Sequence, residues 1–377
     1  MQIIDLAREL ISTYTVSEAP TTTIANRLSD ILESAGFTID HHTYTVGGIP
    51  KVNVVARKGP HGLPEVALTG HMDTVPFDPS EWRSDPLKLT ERDGKLFGRG
   101  ACDMKAFIAL ATAVGSRIPA ADLKHPFALI FTSDEEVGCI GARRLIKDRG
   151  QLARRFVIGE PTGMVPFHMH KGYIYLKIRL LGRGGHSSRP DEGINVVSQA
   201  LPPVITRINE FAEALQQVRD DRFDPPYPTL NIGVVRTGEN AAKNTIAEEA
   251  VVELDIRPVP RQRVEDIVYA LEHHIAPDGS VNGVSVRVDL ARSPTVPFET
   301  ARSADIVELV EGVMEAPSRP TSFNTEGGVF NSTGGASVVC GLGHIAQAHK
   351  PNEYVDASFL SENTADLFER IIRRICT

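Results

Sequence analysis

Residues 127–138 read FALIFTSDEEVG. Five apolar residues, Phe127-Ala128-Leu129-Ile130-Phe131, lead through a Thr-Ser pair into three acids, Asp134, Glu135 and Glu136. The apolar run reads as a short strand, and the acids follow its carboxyl end. Working outward, Val66-Ala67-Leu68-Thr69 and Phe156-Val157-Ile158 are strands of the same kind. Between them, Met104, Phe107, Ile108, Ala111 and Val114 recur at helical spacing over 104–117, and a second helix falls near 140–148. An amphipathic helix over 22–35 precedes them, with Ile24, Leu28, Ile31 and Leu32 on one face and Gly36 as its stop. This β-α-β-α-β rhythm predicts an α/β fold, a mostly parallel sheet covered by helices.

The pattern changes after Gly172. Ile174, Leu176, Ile178 and Leu180 alternate, the mark of a strand with one buried face. A long helix over about 193–216, bent at Pro202-Pro203, is expected next. Strands near 229–236 and 249–257, a helix near 262–275 and a strand near 283–290 complete a β-α-β-β-α-β order, the α+β ferredoxin-like arrangement. This block reads as an insertion. After about residue 293 the helix–strand alternation resumes, with a helix near 301–314 and a strand at Ser337-Val338-Val339. The expected division is 1–172 and 293–377 for one domain and 173–292 for the other.

A chain of 377 residues accommodates two such domains without disulfides or structural metal. With 40 basic and 48 acidic residues and no long Lys/Arg run, it lacks the concentrated basic face that nucleic acid requires. The four cysteines, Cys102, Cys139, Cys340 and Cys376, form no C-x-x-C pair and fit reduced thiols in a cytoplasmic protein. Asp5, Arg8 and Glu9 interrupt the first apolar stretch, unlike a signal peptide, and no apolar run reaches bilayer-spanning length. No membrane partner is expected.

In an open parallel sheet, ligands bind beyond the carboxyl ends of the strands. His71 and Asp73, Glu135 and Glu136, Glu160, and His349 all follow predicted strands, and Asp103 directly precedes a helix. Zinc takes imidazole nitrogen and carboxylate oxygen, and a carboxylate can bridge two metals. On extended chain His71 and Asp73 point the same way, so Asp73 can accept the second imidazole N–H and fix the tautomer. Glu135 and Glu136 point apart, so one can hold metal while the other faces substrate as a base. Plainer readings stand beside each: a hydrogen-bonded His–Asp pair, acids at a solvated helix N-terminus, and a Gly-Glu-Pro turn.

The wording of these segments resembles one family. Gly70-His71-Met72-Asp73-Thr74-Val75-Pro76, Gly98-Arg99-Gly100-Ala101-Cys102-Asp103-Met104-Lys105, Asp134-Glu135-Glu136-Val137-Gly138 and Gly159-Glu160-Pro161-Thr162 are similar to the zinc-dependent acetylornithine deacetylase, succinyl-diaminopimelate desuccinylase and aminoacylase family. The resemblance runs in order along essentially the whole chain. It implies a metallohydrolase domain with an inserted lid and dimerisation domain, a homodimer, and two divalent ions, Zn²⁺ with Co²⁺ able to substitute. One ion falls to His71, Glu160 and a bridging Asp103, the other to Asp103, Glu136 and His349. Glu135 becomes the general base and Asp73 the partner of His71. Gly184-Gly185-His186-Ser187-Ser188 resembles the family's segment whose histidine reaches across the dimer to stabilise the oxyanion. Asn244 and Arg257 match positions that bind the substrate carboxylate, and Thr325 lies in a stretch that lines the substrate pocket.

Trp82 with Asp85-Pro86-Leu87, His170-Lys171-Gly172, Pro228-Thr229-Leu230-Asn231 and Gln347-Ala348-His349-Lys350-Pro351-Asn352-Glu353-Tyr354 place the chain nearest the acetylornithine deacetylase branch. The implied reaction is hydrolysis of N-acetyl-L-ornithine to ornithine and acetate, a step of arginine biosynthesis. Asn324-Thr325-Glu326-Gly327-Gly328 and Gly341-Leu342-Gly343-His344 depart from the family's usual wording. Desuccinylation, dipeptide hydrolysis and carboxypeptidase activity are therefore the alternatives. A non-catalytic binder has no use for a base at Glu135 beside the metal positions.

Overall fold

The structure, a computed structural model, describes residues 2–239 and 241–377. It divides into two compact units. One runs up to Met169 and takes up Glu299–Arg319 and Thr325–Thr377; the other comprises His170–Phe298 and Pro320–Asn324.

The first unit is built on a mostly parallel sheet. Strands Phe127–Thr132, Val66–His71, Arg155–Ile158 and Ala336–Val339 lie side by side and parallel. Val66–His71 and Phe127–Thr132 are buried at every residue, as central strands covered on both faces must be. An antiparallel hairpin, Thr38–Val46 and Ile49–Lys58, extends one side, pairing with Phe127–Thr132. Helices Ile3–Ser12, Thr22–Ser34, Lys105–Arg117, Asp305–Met314 and Glu362–Cys376 contribute apolar faces to one continuous core with the sheet. Lys105–Arg117 is apolar nearly all round and buried along most of its length. It comes so close to the end of strand Arg155–Ile158 that a Cβ at Gly159 would lie 2.0 Å from the Phe107 ring. Only glycine permits that approach, and Glu160 follows directly.

The second unit has its own core and a separate antiparallel sheet. Its four long strands run Thr229–Thr237, Glu249–Arg257, Ile174–Leu181, Val284–Leu290 across the sheet, with helices Leu201–Leu215 and Val264–Ile275 contributing to the core. This is the ferredoxin-like order expected from the sequence. The single bent helix expected over 193–216 is instead two helices, Val196–Gln199 and Leu201–Leu215. Asn195 caps the first through its side chain, and Pro202 and Pro203 sit in the first turn of the second, where a missing N–H costs nothing. The prolines begin a helix rather than bend one.

Candidate metal centre

The parallel strands deliver their acids and histidines to one end of the sheet. His71 is the last residue of its strand, Glu135 and Glu136 lie just past Thr132, and Glu160 lies two residues past Ile158. Asp103 arrives just ahead of helix Lys105–Arg117, and His349 from the segment after strand Ala336–Val339. His71, Asp103 and Glu160 offer ligand atoms all within 4.8 Å of one another, and so do Asp103, Glu136 and His349. The two groups share Asp103 through different oxygens: His71 Nε2 lies 2.9 Å from its Oδ1, and His349 Nε2 lies 3.4 Å from its Oδ2. Glu160 Oε1 is 3.8 Å from His71 Nε2, and Glu136 Oε2 is 3.0 Å from His349 Nε2. Glu135 belongs to neither group.

The chemistry of these donors suits divalent cations. His71 Nδ1 faces the Asp73 carbonyl at 3.0 Å and donates its proton there, which leaves Nε2, turned to the carboxylate oxygens, as the nitrogen that would give up its proton to a cation. Lone pairs converging on one point need a positive charge between them. The proton affinities reflect the same crowding. Burial, reinforced by the Asp103 charge, raises Glu160 well above the usual carboxylate range, and Glu136 rises for the same reasons. Burial pushes Glu135 up to about 8 against the pull of His71, with Glu136 adding to the rise. Burial opposes charge on His71, yet the Asp103 hydrogen bond, with Glu160, carries its pKa well above the ordinary imidazole value. Hydrogen bonds to Asp103 and Glu136 push His349 up to about 11. Burial alone would raise Asp103; His349 and His71 hold it below the normal carboxylate value.

Asp73 is fully buried but does not have the partner expected for it. Its carboxylate is 3.7 Å from His71 Nδ1, whereas Oδ1 accepts the Glu135 N–H at 3.1 Å and Oδ2 accepts the Glu136 N–H at 3.2 Å and the Ser17 hydroxyl at 2.9 Å. The strand ends at His71, so the alternation that would align the two side chains stops before Asp73. Asp73 pins the turn carrying Glu135 and Glu136, and its carbonyl, not its carboxylate, orients His71. Beneath that turn, fully buried Lys51 reaches Asp134 at 2.7 Å and the Ala19 carbonyl at 2.8 Å, and Tyr44 donates to Asp134 at 3.1 Å. Nothing in the sequence marks Lys51 or Tyr44, because a lysine and a tyrosine inside one hairpin carry no spacing signal.

Thr325, expected in a substrate pocket, is fully buried, and its hydroxyl accepts the Gly327 N–H at 3.0 Å. Its neighbour Glu326, also buried, is pushed up to about 7 by desolvation. In the second unit, His186 and Asn244 come together: His186 bridges Thr245, and the Asn244 carbonyl accepts the Ser187 N–H at 3.1 Å. Both are exposed. His186 Nδ1 accepts the Ser188 N–H at 3.2 Å, so the neutral ring carries its proton on Nε2. Arg257 stands apart from them in its contacts. It forms a two-pronged pair with Asp255 at 2.8 and 3.0 Å, donates to Asn324 Oδ1 at 3.0 Å and stacks on Tyr173 at 4.3 Å.

Two imidazole–carboxylate groups sharing one aspartate, at the strand ends of an α/β sheet, define a metallohydrolase class. The chain belongs to the peptidase family M20/M25/M40, whose model matches residues 67–374. It is 33% identical over 363 residues to the acetylornithine deacetylase of Pasteurella multocida, covering 94% of this chain and 91% of that one. Among solved structures, a tripeptidase from Staphylococcus aureus superposes with a TM-score of 0.79 at 20% identity, over 99% of this chain and 98% of that one. A metallo-carboxypeptidase of the M20 family from Sulfolobus solfataricus gives 0.78 at 18% identity, over 99% of both. At those identities the likeness is one of fold.

Proposed function

We propose that the chain hydrolyses the amide bond of an N-acyl amino acid, N-acetyl-L-ornithine first among them, to the free amino acid and a carboxylate. The observation that carries the reading is Asp103 turning one oxygen to His71 and the other to His349. In this reading His71, Asp103 and Glu160 hold one divalent ion, and Asp103, Glu136 and His349 hold the other. Zinc suits this nitrogen and carboxylate donor set, with Co²⁺ as a substitute. When bound, such ions polarise an amide carbonyl and acidify water. Glu135, half-buried next to Glu136 in the turn and part of neither group, takes a proton from the attacking water at its carboxylate. It then returns that proton to the amine nitrogen as the C–N bond breaks. His186, with its proton on Nε2, donates to the oxyanion, and Asn244 and Arg257 receive the substrate carboxylate.

We read the working form as a homodimer in which His186 serves the partner's site, as the family resemblance implies. The edge strand Thr229–Thr237, with Val234 and Val235 exposed, is a surface that a second copy could cover. A cytoplasmic setting is supported by four buried cysteines, none of them in a disulfide. Among the described residues no helix is long and apolar enough to cross a membrane.

Purified protein assayed against N-acetyl-ornithine, other N-acetyl amino acids, N-succinyl-diaminopimelate and dipeptides tests the reading. N-acetyl-ornithine should turn over fastest; a succinyl substrate or dipeptide in first place moves the assignment to that branch. Activity should vanish on chelation and return with Zn²⁺ or Co²⁺, and chelator-insensitive turnover would sink the scheme.

A further inference from the structure

Four residues beyond His349 lies Glu353, buried to 1% exposure. Each of its oxygens accepts two hydrogen bonds. Oε1 takes the backbone N–H of Cys102 at 2.8 Å and of Asp103 at 3.0 Å. Oε2 takes Arg99 Nη1 at 2.8 Å and the Gly100 N–H at 3.1 Å. The preceding residue ties the same segment elsewhere: Asn352 Oδ1 accepts the Arg83 N–H at 2.8 Å and its Nδ2 donates to the Glu81 carbonyl at 3.3 Å. Arg99 is held in turn between Trp82 and Phe77, 5.2 and 5.8 Å from their rings.

From this geometry we infer that Glu353 is a positioning residue that locks Asp103 and His349 into one metal-binding arrangement. The proposal rests on the two-cation reading. Asp103 and His349 are 246 residues apart in sequence, and Glu353 joins the turn bearing one to the segment bearing the other. That segment needs an anchor. His349 and Asn352 have φ of 62° and 58°, in the left-handed region that non-glycine residues enter sparingly, so the backbone here is a specific turn to be held in place. The His349 side chain is half exposed, at 52%, whereas those of His71 and Glu160 are 1% and 6% exposed. Little packing therefore fixes His349, and the buried carboxylate four residues on substitutes for it. A buried acceptor meeting four donors leaves no tolerance for an amide. In Glu353→Gln the NH₂ group must face two of those N–H groups, whichever way it turns.

The test uses full-length protein loaded with Co²⁺ and challenged with increasing chelator, read by ligand-field absorption. Wild type should release two ions. In Glu353→Gln the ion assigned to His349, Asp103 and Glu136 should leave at about 10–100-fold lower free chelator, and kcat should fall with KM little changed. Hydrogen exchange followed by mass spectrometry should show residues 98–105 exchanging faster, while the strands Val66–His71 and Phe127–Thr132 keep wild-type rates. Glu353→Asp keeps both acceptor oxygens and should recover part of the lost affinity, and it carries the test if the glutamine variant does not fold. Wild-type metal release together with wild-type exchange in 98–105 overturns the inference. So does parallel loss of both ions with faster exchange throughout the core, which is what a merely structural role produces. A wild-type protein that binds fewer than two ions removes the two-cation reading itself, and that failure is visible before any variant is made.

Discussion

The two units present their candidate functional side chains in opposite ways. In the first, His71, Asp103 and Glu160 are buried and cross-bonded, and the turn bearing Glu135 and Glu136 hangs from the carboxylate of Asp73. In the second, His186 and Asn244 sit exposed on paired loops, and Arg257 is already engaged by Asp255. The first arrangement is built to resist reorganisation, because buried polar groups with satisfied partners have one low-energy geometry. The second is held by local turns and part-exposed pairs, and suits groups that adjust when substrate arrives. The prediction is that damage to the first unit appears in metal content or chemistry, while damage to the second appears in turnover or KM with metal content unchanged.

The sharpest break is at the proposed base. Glu135→Ala should retain both ions and lose about 10²–10⁴ in kcat, measured by steady-state turnover beside metal analysis. Normal turnover would strip Glu135 of its role. His186→Ala should cost about 10²–10³ in kcat with metal content and KM nearly unchanged. An unaltered rate returns His186 to being a turn residue. Asp73→Asn probes what separates the units. The new amide sets an N–H against a Glu135 or Glu136 N–H, so the turn loosens; kcat or metal affinity should drop about 10–100-fold. Retention of both would mean the turn is held by Lys51, Asp134 and Tyr44 alone.

What was legible in the sequence follows the same physical line. Strands Val66–His71 and Phe127–Thr132 show as plain apolar runs because both faces are covered, and their acids follow within a few residues. The hairpin Thr38–Val46 and Ile49–Lys58 does not show. Lys51, Asn53 and Lys58 are buried in it and interrupt the apolar pattern, each satisfied by a distant carbonyl or side chain that spacing cannot reveal. The candidate ligand positions lie at strand ends, with Asp103 before a helix instead, and only motif wording divides them into two groups, since periodicity carries no information about which carboxylate meets which histidine. Nothing in the segment 347–354 marks Glu353, because its partners lie 250 to 254 residues away. The return of Pro320–Asn324 to the second unit left no mark either, and it is what brings Asn324 to Arg257.

The smallest effect tests the second unit most directly. If Arg257 receives the substrate carboxylate, it must do so in competition with Asp255, which occupies Nε and Nη2. Both side chains are about a third exposed, at 32% and 34%, so the resting pair is worth only about 0.2–1 kcal/mol. Removing the competitor therefore helps binding slightly. Asp255→Ala should lower KM for the N-acyl amino acid by about two- to fivefold, with kcat and metal content unchanged. Stacking on Tyr173 and the bond to Asn324 remain to hold the guanidinium in place. A rise in KM instead would mean that Asp255 aims Arg257 rather than competes for it. The arginine would then be preorganised by a fixed partner, as Glu135 is by Asp73, and the contrast between the two units would not extend to the substrate carboxylate.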